Sequence, residues 1–140
     1  MSLIDTAVNT IIVQSTGSLP GSSGIQPGGL ANWQARRTLD YIEANLASKL
    51  GIGDLAEVVA LSRSHFSRAF KCTLGLSPME YVAVRRVERA KELISSTRER
   101  LAEVALACGF ADQPHFNRRF RALIGMSPGR WRRSLAEEQN

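Results

Sequence analysis

One stretch of this chain occurs twice. Ser62-Arg63-Ser64-His65-Phe66-Ser67-Arg68-Ala69-Phe70-Lys71-Cys72-Thr73-Leu74-Gly75-Leu76-Ser77-Pro78 is answered fifty residues later by Asp112-Gln113-Pro114-His115-Phe116-Asn117-Arg118-Arg119-Phe120-Arg121-Ala122-Leu123-Ile124-Gly125-Met126-Ser127-Pro128. His, Phe, Arg, Phe, Gly, Ser and Pro coincide, and Lys71/Arg121, Leu74/Ile124 and Leu76/Met126 are near-matches. An internal repeat means that each copy is one supersecondary unit. Whatever the first copy folds into, the second must fold into as well.

Both copies read as helices with marked ends. Ser62 and Asp112 are N-cap residues, and Gly75 and Gly125 stand where a left-handed C′ residue closes a helix. With Phe66 at 0° and about 100° per residue, Phe70, Thr73 and Ala69 fall in one inward sector. Ser64, Arg68 and Lys71 face the other way. In the second copy Phe116, Phe120 and Leu123 turn inward, while Pro114, Arg118 and Arg121 take the outward angles.

A shorter helix precedes each copy. Leu55, Ala56, Val58 and Val59 supply its apolar content the first time, and Asp54 and Glu57 are expected to stand ahead of it as an Asp-x-x-Glu cap. Leu101–Cys108 is the second version, with Val104-Ala105 standing for Leu55-Ala56. The offset there is forty-nine rather than fifty, so the second turn, Gly109-Phe110-Ala111, is longer by one residue. Short helix, tight turn and capped helix make a helix-turn-helix, expected at about 52–75 and again at about 101–125.

Between them Ser77-Pro78-Met79-Glu80 opens a long helix with an N-cap serine, proline at N1 and a capping-box glutamate. No Gly or Pro follows until Gly109, so this joining helix is expected over 77–96. Its core side is Tyr81, Val84, Val87, Ala90, Leu93 and Ile94, and Arg85/Glu88, Glu88/Lys91 and Arg89/Glu92 are i,i+3 pairs on its wet side. Upstream, Leu39, Ile42 and Leu46 mark one face of a helix flanked by Trp33 and Tyr41. Downstream, Ser127-Pro128 opens a last helix carrying Trp131 and Leu135 and ending in a frayed acidic tail. The fold class is therefore all-α, with about seven helices: two homeodomain-like helix-turn-helix subdomains joined by a long linker helix.

Residues 15–29 are rich in Gly, Ser and Pro and read as a linker. Ahead of them Ile4, Ala7, Val8, Ile11 and Ile12 form one apolar stripe. A frayed tail, the last helix of an upstream domain and a dimer contact all remain open for it.

The 18 Lys and Arg all lie from Arg36 onward with 12 of the 13 acids, which makes residues 30–140 carry +6. Most of those bases are arginine, the side chain suited to forked contacts with phosphate and guanine. Cys72 and Cys108 have neither CxxC spacing nor a His/Cys cluster nearby, and both are expected to be buried, reduced thiols. His65 and His115 lack acidic or cysteine neighbours at ligand spacing, so a packing or phosphate-contact role is expected of them. No nucleophile with a base beside it, no P-loop and no dinucleotide fingerprint is found. No catalytic residue, metal or cofactor is expected, no run is apolar enough to span a membrane, and the protein is expected in the cytoplasm.

A recognition helix presents side chains near its N-terminus to base edges in the major groove. Arg68 and Arg118 sit in the second turn, where a guanidinium reaches guanine O6 and N7. Ser64, Ser67, Gln113 and Asn117 can bond base edges or phosphates, and Lys71 and Arg121 suit backbone phosphates. Arg63, at the start of the first helix, is counted with these DNA contacts.

These residues resemble the AraC/XylS family of bacterial transcription regulators over roughly Leu30–Arg133. The resemblance is carried by Leu55-Ala56, Ser62-x-x-His65-Phe66-x-Arg68-x-Phe70-Lys71, Gly75-x-Ser77-Pro78, Arg86-x-x-x-Ala90, Gly109-Phe110-x-Asp112-x-x-His115-Phe116 and Gly125-x-Ser127-Pro128. It implies a DNA-binding domain over 30–140 whose two helix-turn-helix subdomains each insert one helix into the major groove. Base contacts then map to Ser64, Ser67 and Arg68, and to Gln113, Asn117 and Arg118. It further implies a transcription activator, RNA polymerase as a partner, and a separate effector or dimerisation domain, of which residues 1–29 would be the last helix and linker. A homodimer would form through that region. Pro114 departs from the pattern and offers at most apolar contact with a thymine methyl; Arg119 stands at the Ala69 position and must snorkel outward. The joining helix, at about 1.5 Å per residue, is expected to span roughly 30 Å, close to the one-turn groove repeat of about 34–36 Å. The competing class is a helical protein–protein adaptor that offers the same basic faces to an acidic partner. A third, a DNA-repair enzyme carrying this module, needs an activated thiol for which neither cysteine has the setting.

Overall fold

The computed structural model describes residues 28–138. They form seven helices and no strand: α1 (Asn32–Ala44), α2 (Ile52–Val58), α3 (Arg63–Leu74), α4 (Pro78–Ser96), α5 (Leu101–Ala107), α6 (Gln113–Ile124) and α7 (Pro128–Glu138). The apolar stripe at Ile4–Ile12 and nearly all of the expected linker lie outside the described residues. Contacts gather into two compact units, one holding residues 28–45 and 49–82, the other 46–48 and 83–138. The helix α4 contributes residues to both.

The first unit is built on the inward face that Phe66 marks. Phe66, Ala69, Phe70 and Leu74 of α3 are buried, with Leu39 and Ile42 from α1, Leu55 and Ala56 from α2, and Tyr81 from α4. Phe66 and Phe70, one helical turn apart, meet at a tilt of 49° with centroids 5.6 Å apart, and Tyr81 meets Phe70 edge-on at 5.7 Å. Such pairs add about 0.5–1.5 kcal/mol beyond the area they bury. Leu30 is buried at the start of the unit, and its N–H donates to Thr73 Oγ1 at 2.8 Å. Three boundaries differ from those expected. The helix α1 stops at Ala44, so Leu46 lies past its end. The acidic pair does not stand ahead of α2: the helix begins at Ile52, and Asp54 is its third residue, accepting from the Gly51 N–H at 3.1 Å. A carboxylate at N3 closes this end because Gly51 has no side chain to cap with. Gly53, which looks like a break in the sequence, is the second residue of the helix.

In the second unit Val87, Ala90 and Ile94 of α4 meet Val104, Ala105 and Cys108 from α5 and its end, together with Phe110, Phe116 and Phe120. The aromatic series is longer here: Phe110–Phe116 at 5.1 Å, Phe116–Phe120 at 5.7 Å and Phe120–Trp131 at 5.7 Å. The expected Glu88–Lys91 pair forms at 3.7 Å, yet both side chains are largely covered rather than wet. Lys91 lies 5.9 Å from the centre of the Trp131 ring, which a cation favours. The last helix ends in its acidic residues, Glu137 and Glu138. Arg86 is buried here; its Nε donates to the Leu46 carbonyl at 3.1 Å and its Nη2 to the Ser48 carbonyl at 2.8 Å. Burial lowers its pKa, with a smaller opposing effect from Cys108.

Each short helix ends in the same double-bonded turn. After α2, the Ala60 N–H donates to Glu57 O at 3.1 Å and the Leu61 N–H to Ala56 O at 3.0 Å. After α5, Gly109 N–H bonds Leu106 O at 3.1 Å and Phe110 N–H bonds Ala105 O at 3.0 Å. This is the Schellman pattern, whose C′ residue takes left-handed backbone. Gly109 does so at φ 92°, and Ala60 does so at φ 57° with a Cβ attached. A Cβ on Gly109 would collide with the Leu46 carbonyl oxygen and approach Arg86 Nε to 2.8 Å. The single extra residue of the second turn, Ala111, follows this shared pattern and precedes the cap at Asp112.

Candidate nucleic-acid interface

The two repeated helices are bracketed alike. The Ser62 side chain accepts from the His65 N–H at 3.1 Å, and Asp112 accepts from the His115 N–H at 2.8 Å. At the other end Gly75 (φ 83°) donates to Lys71 O and Gly125 (φ 95°) to Arg121 O. Each cap is worth about 1 kcal/mol, so the ends are fixed without help from the outward side chains. Lys71 and Arg121, in the last turns, also suit the negative helix ends.

That leaves the outward faces free for other work. On α3, Ser64, Ser67, Arg68 and Lys71 follow i, i+3, i+4, i+7 spacing and so share one face. Arg63, Ser64, Arg68 and Lys71 are exposed and Ser67 is half-buried. On α6, Asn117, Arg118 and Arg121 are exposed, as is Pro114, while Gln113 is half-buried at the first position. Arg119 is exposed, as its snorkelling requires. Neither helix contains an acidic residue, against three basic ones in each. The candidate contacts thus form two sets, each on a single helix, and the sets belong to different units.

The histidines part company. His115 packs edge-on against Phe110 at 5.5 Å and is half-buried, whereas His65 is exposed. Among the described residues no group of three His, Cys, Asp or Glu is clustered for a metal ion. The expectation for cysteine holds at Cys108 and fails at Cys72, which is exposed. Six positions on from Phe66, Cys72 is carried about 240° round the helix, away from the apolar side. Burial pushes the Cys108 thiol up to about 11.

One contributor escapes sequence reasoning altogether. A groove of about 770 Å³ runs between the start of α2 and the start of α3, lined by Gly51, Gly53, Asp54, Glu57, Ser62 and Arg63 among others. In it the Arg63 guanidinium lies across Gly53, so close that a Cβ there would fall 2.8 Å from Nη2, 3.0 Å from Nε and 3.1 Å from Cζ.

Comparison with known proteins places this geometry. The family model of a helix-turn-helix domain matches residues 55–134. The chain is 40% identical over 92 residues to the probable transcriptional regulator LumQ of Photobacterium leiognathi, covering 66% of this chain and 37% of that protein. It is 36% identical over 108 residues to the arabinose operon regulatory protein of Escherichia coli K12, covering 76% of this chain and 37% of that protein. The chain therefore spans little more than a third of these relatives' length. Among solved structures, the DNA-binding domain of AdpA in complex with a target DNA superposes with a TM-score of 0.71 at 27% identity, covering 75% of this chain and 94% of that one. An AraC-type DNA-binding-domain regulator from Chromobacterium violaceum gives 0.66 at 33% identity, covering 72% and 89%.

Proposed function

The chain belongs to the AraC family of helix-turn-helix transcription regulators, and on that footing we propose that it reads two successive major-groove segments of double-stranded DNA, one with α3 and one with α6. The observation that carries this is the pairing of faces. Each helix has an aromatic side sunk in its own core and an acid-free, basic side left in solvent, with its ends capped independently of either.

Each residue type then has a task. Arg68 and Arg118 offer two parallel N–H donors to guanine O6 and N7, a pairing no other base edge reproduces. Ser64, Ser67, Gln113 and Asn117 supply hydrogen bonds to base edges, and Pro114 supplies apolar surface for a thymine methyl. Arg63, Lys71 and Arg121 neutralise phosphates, releasing counterions and making affinity fall with salt. By analogy with its relatives the protein acts in the cytoplasm as an activator, with RNA polymerase as its partner. Dimerisation is assigned to residues upstream of the DNA-binding helices.

Selection of bound duplexes from a random pool tests this directly. A defined site with two guanine-containing segments about one helical turn apart is expected, with affinity falling steeply as salt rises. Enrichment of no sequence, together with salt-sensitive binding to any acidic protein, would favour the adaptor instead.

A further inference from the structure

We propose that Gly53 is a positioning residue of the first reading head: lacking a Cβ, it is the shelf on which the Arg63 guanidinium rests, ready to meet a DNA backbone phosphate. The inference builds on the DNA-binding function just proposed and concerns a residue outside both recognition helices.

The geometry is specific. Three atoms of the guanidinium, Nη2, Nε and Cζ, lie closer than van der Waals contact to where a Gly53 side chain would begin, so the Nε–Nη2 edge of Arg63 occupies the space that a Cβ on α2 would take. Arginine at the first position of α3 is otherwise a long stem with little to hold it, and ordering such a side chain costs rotamer entropy. Contact with α2 meets part of that cost before DNA arrives, which is how preorganisation improves affinity. Asp54 and Glu57 line the same groove, yet among the described residues neither forms an ion pair with Arg63. Asp54 is engaged with the Gly51 N–H. The donors of Arg63 are therefore left for an acceptor from outside, on a side chain that is exposed at the start of the reading helix.

The repeat supplies an internal control. At the offset of forty-nine that relates the short helices, Gly53 corresponds to Ala102; at the offset of fifty that relates the long ones, Arg63 corresponds to Gln113. Where the chain has a Cβ it has no arginine, and where it has the arginine it has no Cβ. A glycine in the first turn of a short helix weakens that helix, so its presence at 53 calls for a gain elsewhere.

The test is a double-mutant cycle in the full chain, read by duplex affinity at several salt concentrations and by melting temperature. Gly53→Ala should leave melting unchanged or raised, because only the far end of a flexible side chain must move. It should nevertheless weaken binding several-fold on selected and random duplexes alike. Arg63→Ala should do the same and reduce the salt slope by about one unit, and the double variant should bind no worse than Arg63→Ala. In an Arg63→Lys background, Gly53→Ala should cost nothing, since a compact ammonium on a flexible stem does not place a forked edge against α2. Losses that simply add, or a fall in melting temperature that tracks the loss of affinity, would reduce the contact to packing and overturn the proposal. So would unchanged affinity in both single variants while Arg68→Ala still weakens binding; that result leaves the DNA-reading function standing. An unmodified chain that binds no duplex at all would overturn both.

Discussion

Arg68 sits between Phe66 and Phe70, and Arg118 between Phe116 and Phe120. The phenylalanines are buried and the arginines exposed, so the core and the proposed base contacts fall to different side chains within a single turn. Arg68→Ala and Arg118→Ala are each expected to weaken specific binding by roughly 1–3 kcal/mol and to relax preference at different base positions. Lys71→Ala should weaken all sequences alike and lower the salt slope by about one. Equal losses on specific and random duplexes for both arginine variants would refute base reading. The cysteines divide on the same principle. In the folded protein an alkylating reagent should modify Cys72 and spare Cys108, which is fully covered. Cys108 has its pKa raised to about 11 from the ordinary 9.0. As pH climbs through that interval the unfolded chain loses its thiol proton while the folded chain keeps it. Stability is therefore full below about pH 9 and declines toward pH 11, and Cys108→Ala should flatten that decline in a series of denaturation curves.

At the scale of the element, the two turns of the repeat are a matched experiment. Ala60 and Gly109 hold the same place in the same hydrogen-bonding pattern, but only one is a glycine. A left-handed non-glycine costs about 1–2 kcal/mol, part of which is offset because glycine is harder to order. Ala60→Gly is expected to raise stability by several tenths to about 1 kcal/mol, measured as a shift in denaturation midpoint at constant slope. Gly109→Ala should cost about 3 kcal/mol or more, since a Cβ there meets both backbone strain and the Leu46 carbonyl. A destabilised Ala60→Gly would show that the pattern does not ask for glycine at that turn. The same comparison explains what could be read from the sequence. Caps, helix stops and inward phenylalanines are local, and Ser62, Asp112, Gly75 and Gly125 announced the helix ends by residue type alone. The place of the acidic pair is not legible in the same way, because Asp54 caps backward from inside the helix, which its spacing to Glu57 does not reveal. The bonds from Arg86 to Leu46 and Ser48, and the resting of Arg63 on Gly53, join residues whose separation carries no periodicity. Only the fold brings them together.

At the scale of the molecule, the proposal of two reading helices on one chain makes spacing a measurable quantity. The helix α4 is unbroken for 19 residues and contributes to both units. A chain that engages two groove segments one turn apart should lose much of its affinity when about five base pairs are inserted between them, because half a turn carries the second segment to the opposite face. If the DNA must bend to meet both heads, about 1–6 kcal/mol is spent on the bend, and a flexible pyrimidine–purine step placed midway should improve binding. Undiminished affinity for the lengthened site, with one chain protecting both halves, would refute a rigid two-headed reader. Each repeated helix is closed at both ends by its own serine or aspartate and glycine, with its weight borne by phenylalanine. The side chains that would choose an operator are those that folding does not consult. If those side chains read DNA as proposed, a descendant of this chain can change allegiance from one promoter to another by single steps that leave the caps and the buried phenylalanines untouched, and the two helices can drift apart in preference while their scaffold stays in common.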